Sequence, residues 1–125
     1  MNVSIVIVNY NTLKLTKACI DSVIEKTSGL EYEIILVDNA SSDGSSDVFK
    51  NDERIIFIEA SDNIGFGKAN NLGVKHAKGD YLFFLNSDTL LLNNAVDELW
   101  KFCESHKENM LGAVGCILCD VNGKP

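Results

Sequence analysis

Val3-Ser4-Ile5-Val6-Ile7-Val8-Asn9-Tyr10-Asn11 decides how this chain is read. Its apolar residues are β-branched and fit a pleated, packed surface. They stand at consecutive rather than alternate positions, which predicts a strand over residues 3–8 covered on both faces. Asn9, Tyr10 and Asn11 end the run with polar groups. A strand of this kind belongs to a parallel sheet, so helices are expected between it and its partners.

The rest of the sequence obeys that expectation. From Thr12 to about Lys26, Leu15, Cys19, Ile20, Val23 and Ile24 recur at helical spacing, with Asn11 or Thr12 as N-cap. Residues 33–37 read as a second strand ending at Asp38-Asn39, 40–44 as a turn and 45–51 as a short helix. Residues 54–58 form a third predicted strand, 63–67 a glycine-containing loop and 68–77 a helix, with Gly79 suited to its end. Residues 80–85 form a fourth strand ending at Asn86-Ser87-Asp88, 94–107 a long helix, and 111–119 a fifth strand. The fold class is α/β: a Rossmann-like, mostly parallel sheet with helices on both faces. In such sheets ligands bind beyond the carboxyl ends of the strands, where strand order reverses. Asn9–Asn11, Asp38-Asn39 and Asn86–Asp88 all fall at such ends.

Composition bounds the function. The 125 residues carry 11 Lys+Arg against 18 Asp+Glu, a formal charge of −7, and 46% are hydrophobic. That is one globular domain's worth of chain with enough apolar residues for a core. The acidic balance argues against nucleic acid as a partner. Apolar runs fall far short of the ~20 residues that span a bilayer, and no basic segment precedes an apolar one at the N-terminus. A cytoplasmic location is expected, with contact at the inner face of the membrane left open. Cys103-x-x-His106 and Cys116-x-x-Cys119 superficially match a zinc set. In a strand over 112–120, however, Cys116 and Cys119 would point to opposite faces, so buried reduced thiols are the expectation.

The strand-end residues have definite chemistry. Asp38 is suited to accept a hydrogen bond from the imide N–H of uracil or thymine, or equally to cap the turn that follows it. Asp88 with Asn86, two residues apart, would face one hard cation if the strand end stays extended. The alternative is that Ser87, Asp88 or Thr89 caps a following helix. Gly65, Gly67 and Gly73 permit close backbone approach to an anion, and Lys68 would neutralise phosphate charge or simply be solvated. Neither a Rossmann fingerprint nor a Walker loop is present, and neither histidine pairs with a nucleophile.

Four segments in order carry a resemblance: Val3 to Asn11; Ile34-Ile-Leu-Val-Asp-Asn-Ala-Ser-Ser-Asp-Gly-Ser45; Asn63-Ile-Gly-Phe-Gly67 with Asn70-Asn-Leu-Gly73; and Gly79-Asp-Tyr-Leu-Phe-Phe-Leu-Asn-Ser-Asp-Thr89. Together they resemble the N-terminal, donor-binding half of a family 2 glycosyltransferase with a GT-A fold, closest in form to the rhamnosyltransferase-like branch. The resemblance covers essentially residues 1–125. It implies transfer of a sugar from a nucleotide-diphosphate donor, dTDP-rhamnose or a UDP-sugar, to a glycan or polyprenyl-linked acceptor in cell-surface polysaccharide synthesis. It places Asn9, Asn11, Asp38, Asn39, Gly65, Lys68, Asn70, Asn86 and Ser87 at the donor. Asp88 and Asn86 would hold a divalent cation, Mg²⁺ or Mn²⁺, Asn86 replacing the usual first carboxylate; Asn70 stands where many relatives carry arginine. The catalytic base of this inverting reaction is expected beyond Pro125, which makes the chain a truncated, inactive donor-binding half. Exposed apolar surface near residues 111–119 then makes self-association into a homo-oligomer expected. A nucleotide-sugar-binding module without turnover is the competing reading. A phosphoacceptor receiver domain is a third, weakened by the lack of an acidic pair after the first strand.

Overall fold

The central element is β1 (Val3–Asn9), buried at every position. The computed structural model describes all 125 residues. Along the chain β1 is followed by α1 (Leu13–Lys26), β2 (Tyr32–Asp38), α2 (Ser45–Phe49), β3 (Ile56–Glu59), α3 (Phe66–Val74), β4 (Tyr81–Asn86) and α4 (Ala95–Ser105). A 3₁₀ turn, Lys107–Asn109, ends the regular structure. The sheet has four strands in the order β3-β2-β1-β4, and every pair is parallel. No helix is long and apolar enough to cross a membrane.

The consecutive apolar residues of β1 feed two cores. Val3, Ile5 and Ile7 pack with Cys19, Ile20 and Val23 of α1, Phe49 of α2 and Val96 of α4. On the other face Val8, Ile35 and Val37 pack with Ala69 of α3. Helix α3 sits unusually close to the sheet because it carries Gly73, where an added Cβ would lie 2.7 Å from Val6 Cγ1. It covers β1 and β2 but leaves the outward residues of β4 bare, so Leu82 and Phe84 are 43% and 53% exposed.

Three expectations change. Residues 111–119 form no strand; they run irregular and exposed. The edge of β4 is free, but a cavity of about 740 Å³ separates residues 110–118 from β4 and α4, and no backbone hydrogen bond crosses it. The strand argument about Cys116 and Cys119 therefore loses its premise, and both are exposed rather than buried; all four cysteines are free thiols, with only Cys19 buried, and no three His, Cys, Asp or Glu side chains cluster closely enough for a metal. Second, α3 starts at Phe66, so Phe66 and Gly67 belong to the helix rather than to the loop before it. Third, Gly79 closes no helix, since α3 stops at Val74. It passes against β1, where a Cβ would lie 2.6 Å from the Val3 carbonyl carbon, and its N–H donates to Ser4 Oγ at 2.8 Å.

These two glycines give a stability test. Gly73→Ala forces the Val6 side chain to shift and is expected to cost about 1–3 kcal/mol. Gly79→Ala meets backbone that cannot step aside and is expected to cost more than Gly73→Ala. Urea unfolding of the two variants checks the order; a Gly79→Ala variant as stable as the parent would contradict the packing.

Candidate functional site

Strand order reverses at β1: the chain steps outward to β2 and β3, then returns to place β4 on the other side. Asn9 pairs in register with Asp38, and Val8 with Asn86. Polar residues therefore reach one level at the carboxyl edge of the sheet, at the switch point.

Below that edge lies a closed polar network. The Asn9 side chain is fully buried. Its Nδ2 donates to Asp38 Oδ1 at 2.7 Å and to Ser41 Oγ at 3.1 Å. Its Oδ1 accepts from Thr12 Oγ1 at 3.0 Å and Thr16 Oγ1 at 2.7 Å. Asp38, also fully buried, accepts at Oδ1 from Ser41 Oγ and at Oδ2 from the Ser41 N–H. The turn-capping alternative for Asp38 is thus realised. Asn11 adopts φ 52°, and its Oδ1 accepts from the Ser42 N–H at 2.7 Å. The first free N–H of α1, on Leu13, is taken by Asp43 Oδ2; neither Asn11 nor Thr12 caps that helix with its side chain. The Ser45 hydroxyl, bonded to Asp43, is the main influence holding the Asp43 carboxyl below its ordinary pKa.

A second network ties β2 to α3. Asn39, 3% exposed, donates from Nδ2 to Asn63 Oδ1 at 2.9 Å and accepts at Oδ1 from the Ile64 N–H at 2.9 Å. The Gly65 N–H also donates to Asn63 Oδ1, at 3.0 Å.

Above these networks opens a cleft of about 410 Å³, lined by Val8, Tyr10, Thr12, Leu15, Asn39, Asn63, Phe66, Asn86, Ser87 and Asp88. Its size suits a small ligand. Asn86 ends β4, and the chain turns there, with Thr89 donating its N–H and hydroxyl to the Asn86 carbonyl. The strand end is not extended to Asp88; the turn brings Asn86, Ser87 and Asp88 to the same cleft. Ser87 reaches Thr12 across it, Oγ to Oγ1 at 3.4 Å. Neither the Asn86 amide nor the Asp88 carboxylate has a hydrogen-bond partner, and both residues are exposed. Cys19 lies buried beneath this turn, and burial raises its thiol pKa to about 11.

Of the residues singled out from sequence, Asn39, Asn86, Ser87 and Asp88 line the cleft. Asn9 and Asp38 lie under its floor, shielded by Ser41 and Thr12. Asn11 holds the neighbouring loop. Gly65, Lys68 and Asn70 are not among the lining residues: Gly65 supplies the positive-φ N-cap of α3, Lys68 points to solvent, and Asn70 donates to the Phe66 carbonyl of its own helix. Tyr10, Thr12, Leu15, Asn63 and Phe66 line the cleft without having been singled out. Tyr10, Asn63 and Phe66 sit inside the quoted segments, and a bulky or polar side chain next to a strand-end break was the available signal.

Comparison with known proteins agrees with this architecture. The profile of "Glycosyl transferase family 2" matches residues 4–123. A poly(ribitol-phosphate) beta-glucosyltransferase of Bacillus spizizenii is 36% identical over 99% of this chain, which covers 20% of that protein. The glycosyltransferase GlyG of Streptococcus pneumoniae is 30% identical over 79% of this chain, covering 34% of that protein. The chain thus spans a fifth to a third of the length of these relatives. Among solved structures, S. aureus TarS 1-349 in complex with UDP-GlcNAc superposes with TM-score 0.75 at 24% identity, over 86% of this chain and 32% of that one. The mannosyltransferase PcManGT of Pyrobaculum calidifontis, in complex with GDP-Man and Mn²⁺, superposes with TM-score 0.77 at 23% identity, over 93% and 35%. The fold is the GT-A type.

Two outcomes follow from the geometry. Asn9→Ala leaves the Asp38 carboxylate and two threonine hydroxyls short of partners and is expected to cost about 2–3 kcal/mol of stability in urea unfolding. Cys19 stabilises the fold as a neutral thiol. Its folded pKa exceeds the unfolded value, so this contribution is complete below pH 9 and lost as pH rises towards about 11. Cys19→Ala is expected to lose less stability than the parent between pH 8 and 11; parallel pH profiles would contradict the assignment.

Proposed function

We propose that this chain, which belongs to glycosyl transferase family 2, binds the nucleotide-diphosphate sugar of an inverting transfer reaction in the cleft at the β1–β4 switch point. The observation that carries this reading is the turn after β4. It presents Asp88, the one acidic side chain lining the cleft, without a partner beside Asn86 and Ser87. Tyr10 and Phe66, 48% and 60% exposed, line the same cleft and supply aromatic surface for a nucleobase. Asn9 and Asp38 serve the base indirectly by fixing the loops that carry Tyr10 and Asn39; a direct bond from Asp38 to the base requires the Ser41 turn to part.

The residues fit a divalent cation that is shared with substrate. One carboxylate and one amide oxygen are available in the cleft lining, which holds no other His, Cys, Asp or Glu. Mg²⁺ commonly binds through one or two carboxylates plus substrate phosphates. Bound there, the cation would supply positive charge to the leaving diphosphate. Asp88 and Asn86 would orient the diphosphate, and Ser87 would donate to a phosphate oxygen. The donor is a UDP- or dTDP-sugar, dTDP-rhamnose among the candidates, and the acceptor a surface glycan or its polyprenyl-linked precursor.

A base must lie within hydrogen-bond reach of the attacking hydroxyl. With Asp88 committed to the cation, the cleft lining holds no other carboxylate. That favours a chain that binds donor but needs residues outside 1–125 for transfer.

Calorimetric titration tests the reading. UDP and dTDP are expected to bind with Mn²⁺ present, more tightly than ADP. Asp88→Ala is expected to lose about 1.5–3 kcal/mol of UDP affinity and its metal dependence, with the fold retained. Metal-independent UDP binding, unaltered in Asp88→Ala, would make Asp88 a turn residue and remove the proposed cation site.

A further inference from the structure

Two backbone N–H groups determine how a pair of asparagine side chains must face. The Ile64 N–H can only donate, so the atom of Asn39 that meets it is Oδ1. The Nδ2 of Asn39 then necessarily points at Asn63. Likewise the Gly65 N–H meets Asn63 and must find Oδ1 there. Both constraints agree, since Asn39 Nδ2 donates to the same Asn63 Oδ1 at 2.9 Å. Amide orientation, ordinarily a matter of choosing the better network, is over-determined here. Asn63 Oδ1 accepts two hydrogen bonds, while its Nδ2 hydrogens have no partner and the residue is an exposed part of the cleft wall.

We propose that Asn39 is a positioning residue that locks the Asn63 amide with its Nδ2 hydrogens towards the cleft, so that Asn63 selects a donor base presenting a carbonyl oxygen over one presenting an amino group. This rests on the nucleotide-binding reading above and deepens it. Uracil and thymine carry a carbonyl at position 4; cytosine, of the same ring size, carries an amino group there. A donor facing a donor leaves both unpaired and desolvated, which is the stronger half of the discrimination. Asn39 is not itself required to touch the ligand. Its burial and its two hydrogen bonds are spent on the loop.

The test compares UDP and CDP on the purified 125-residue chain and its variants, by calorimetry with Mn²⁺. Asn63→Asp keeps an oxygen to accept from Asn39 and Gly65 and exchanges the cleft-facing donor for an acceptor. It is expected to weaken UDP by about tenfold or more while weakening CDP less, so the UDP:CDP affinity ratio collapses. Asn39→Ala, with Asn63 intact, is expected to move the same ratio towards one, whereas a purely structural role would weaken both nucleotides alike. The lock has a readout that needs no variant: the Asn39 Nδ2 hydrogens are expected to exchange with solvent far more slowly than those of exposed asparagines. An unchanged UDP:CDP ratio in Asn63→Asp, or fast exchange at Asn39, overturns the inference while parent binding of UDP keeps the functional reading. Failure of the parent to bind any nucleoside diphosphate overturns both.

Discussion

The amide of Asn9 is the constraint on which the carboxyl edge depends. An asparagine side chain has two N–H hydrogens and two oxygen lone pairs, and all four are used without exposure to solvent. Its partners come from the start of α1, the end of β2 and the turn after β2. One side chain at the end of the central strand thus fixes the two loops on that side of the cleft. A buried polar network of this kind stabilises only when every member is satisfied. Asp38 shows the same economy: a fully buried carboxylate receives three hydrogen bonds, one of them from Asn9, and is held in place by them.

The fold was legible because its decisive signal is local. β1 has to be buried on both faces, since no alternation separates its apolar residues, and a parallel sheet with flanking helices follows. The same logic misplaced residues 111–119. Leu111, Val114, Ile117 and Leu118 look like a buried strand by composition, yet burial is a property of what lies opposite. Here a cavity lies opposite, and the segment stays exposed along the unpaired edge of β4. Sequence states the capacity to pair; it does not state whether an edge and a covering layer are in place. Gly79 makes the complementary point. Its smallness was visible, but the reason for it is contact with β1, 75 residues away along the chain from the Ser4 hydroxyl it meets.

The candidate site was legible at the level of segments and less so at the level of atoms. Polar residues after three strands had to converge, because parallel strands share one carboxyl edge. Which of them faces the cleft depends on the turn each strand makes on ending. At β1 the chain puts Asn9 inward and Tyr10 outward, so the more conspicuous polar residue became scaffold and its aromatic neighbour became surface. At β4 a turn rather than an extended strand end brings Asn86 and Asp88 together. The extended strand end expected there is replaced by this turn, and both residues line the one cleft.

Electrostatics accounts for why the two aspartates cannot exchange roles. A polar side chain is tolerated in burial only when hydrogen bonds replace its lost hydration. Asp38 has those bonds and has little left to offer a ligand. Asp88 has none and stands exposed in the cleft lining, which leaves its oxygens open for the cation proposed there. An additional carboxylate at Asn86 would raise cation affinity, but it would also add a second negative charge facing an anionic diphosphate in a chain of net charge −7. In the proposed donor site, the amide in its place would oppose an approaching diphosphate less and leave more to the cation. At these strand ends the roles therefore divide by depth: buried Asn9 and Asp38 hold the loops, and exposed Asn86 and Asp88 have side chains with no protein partner.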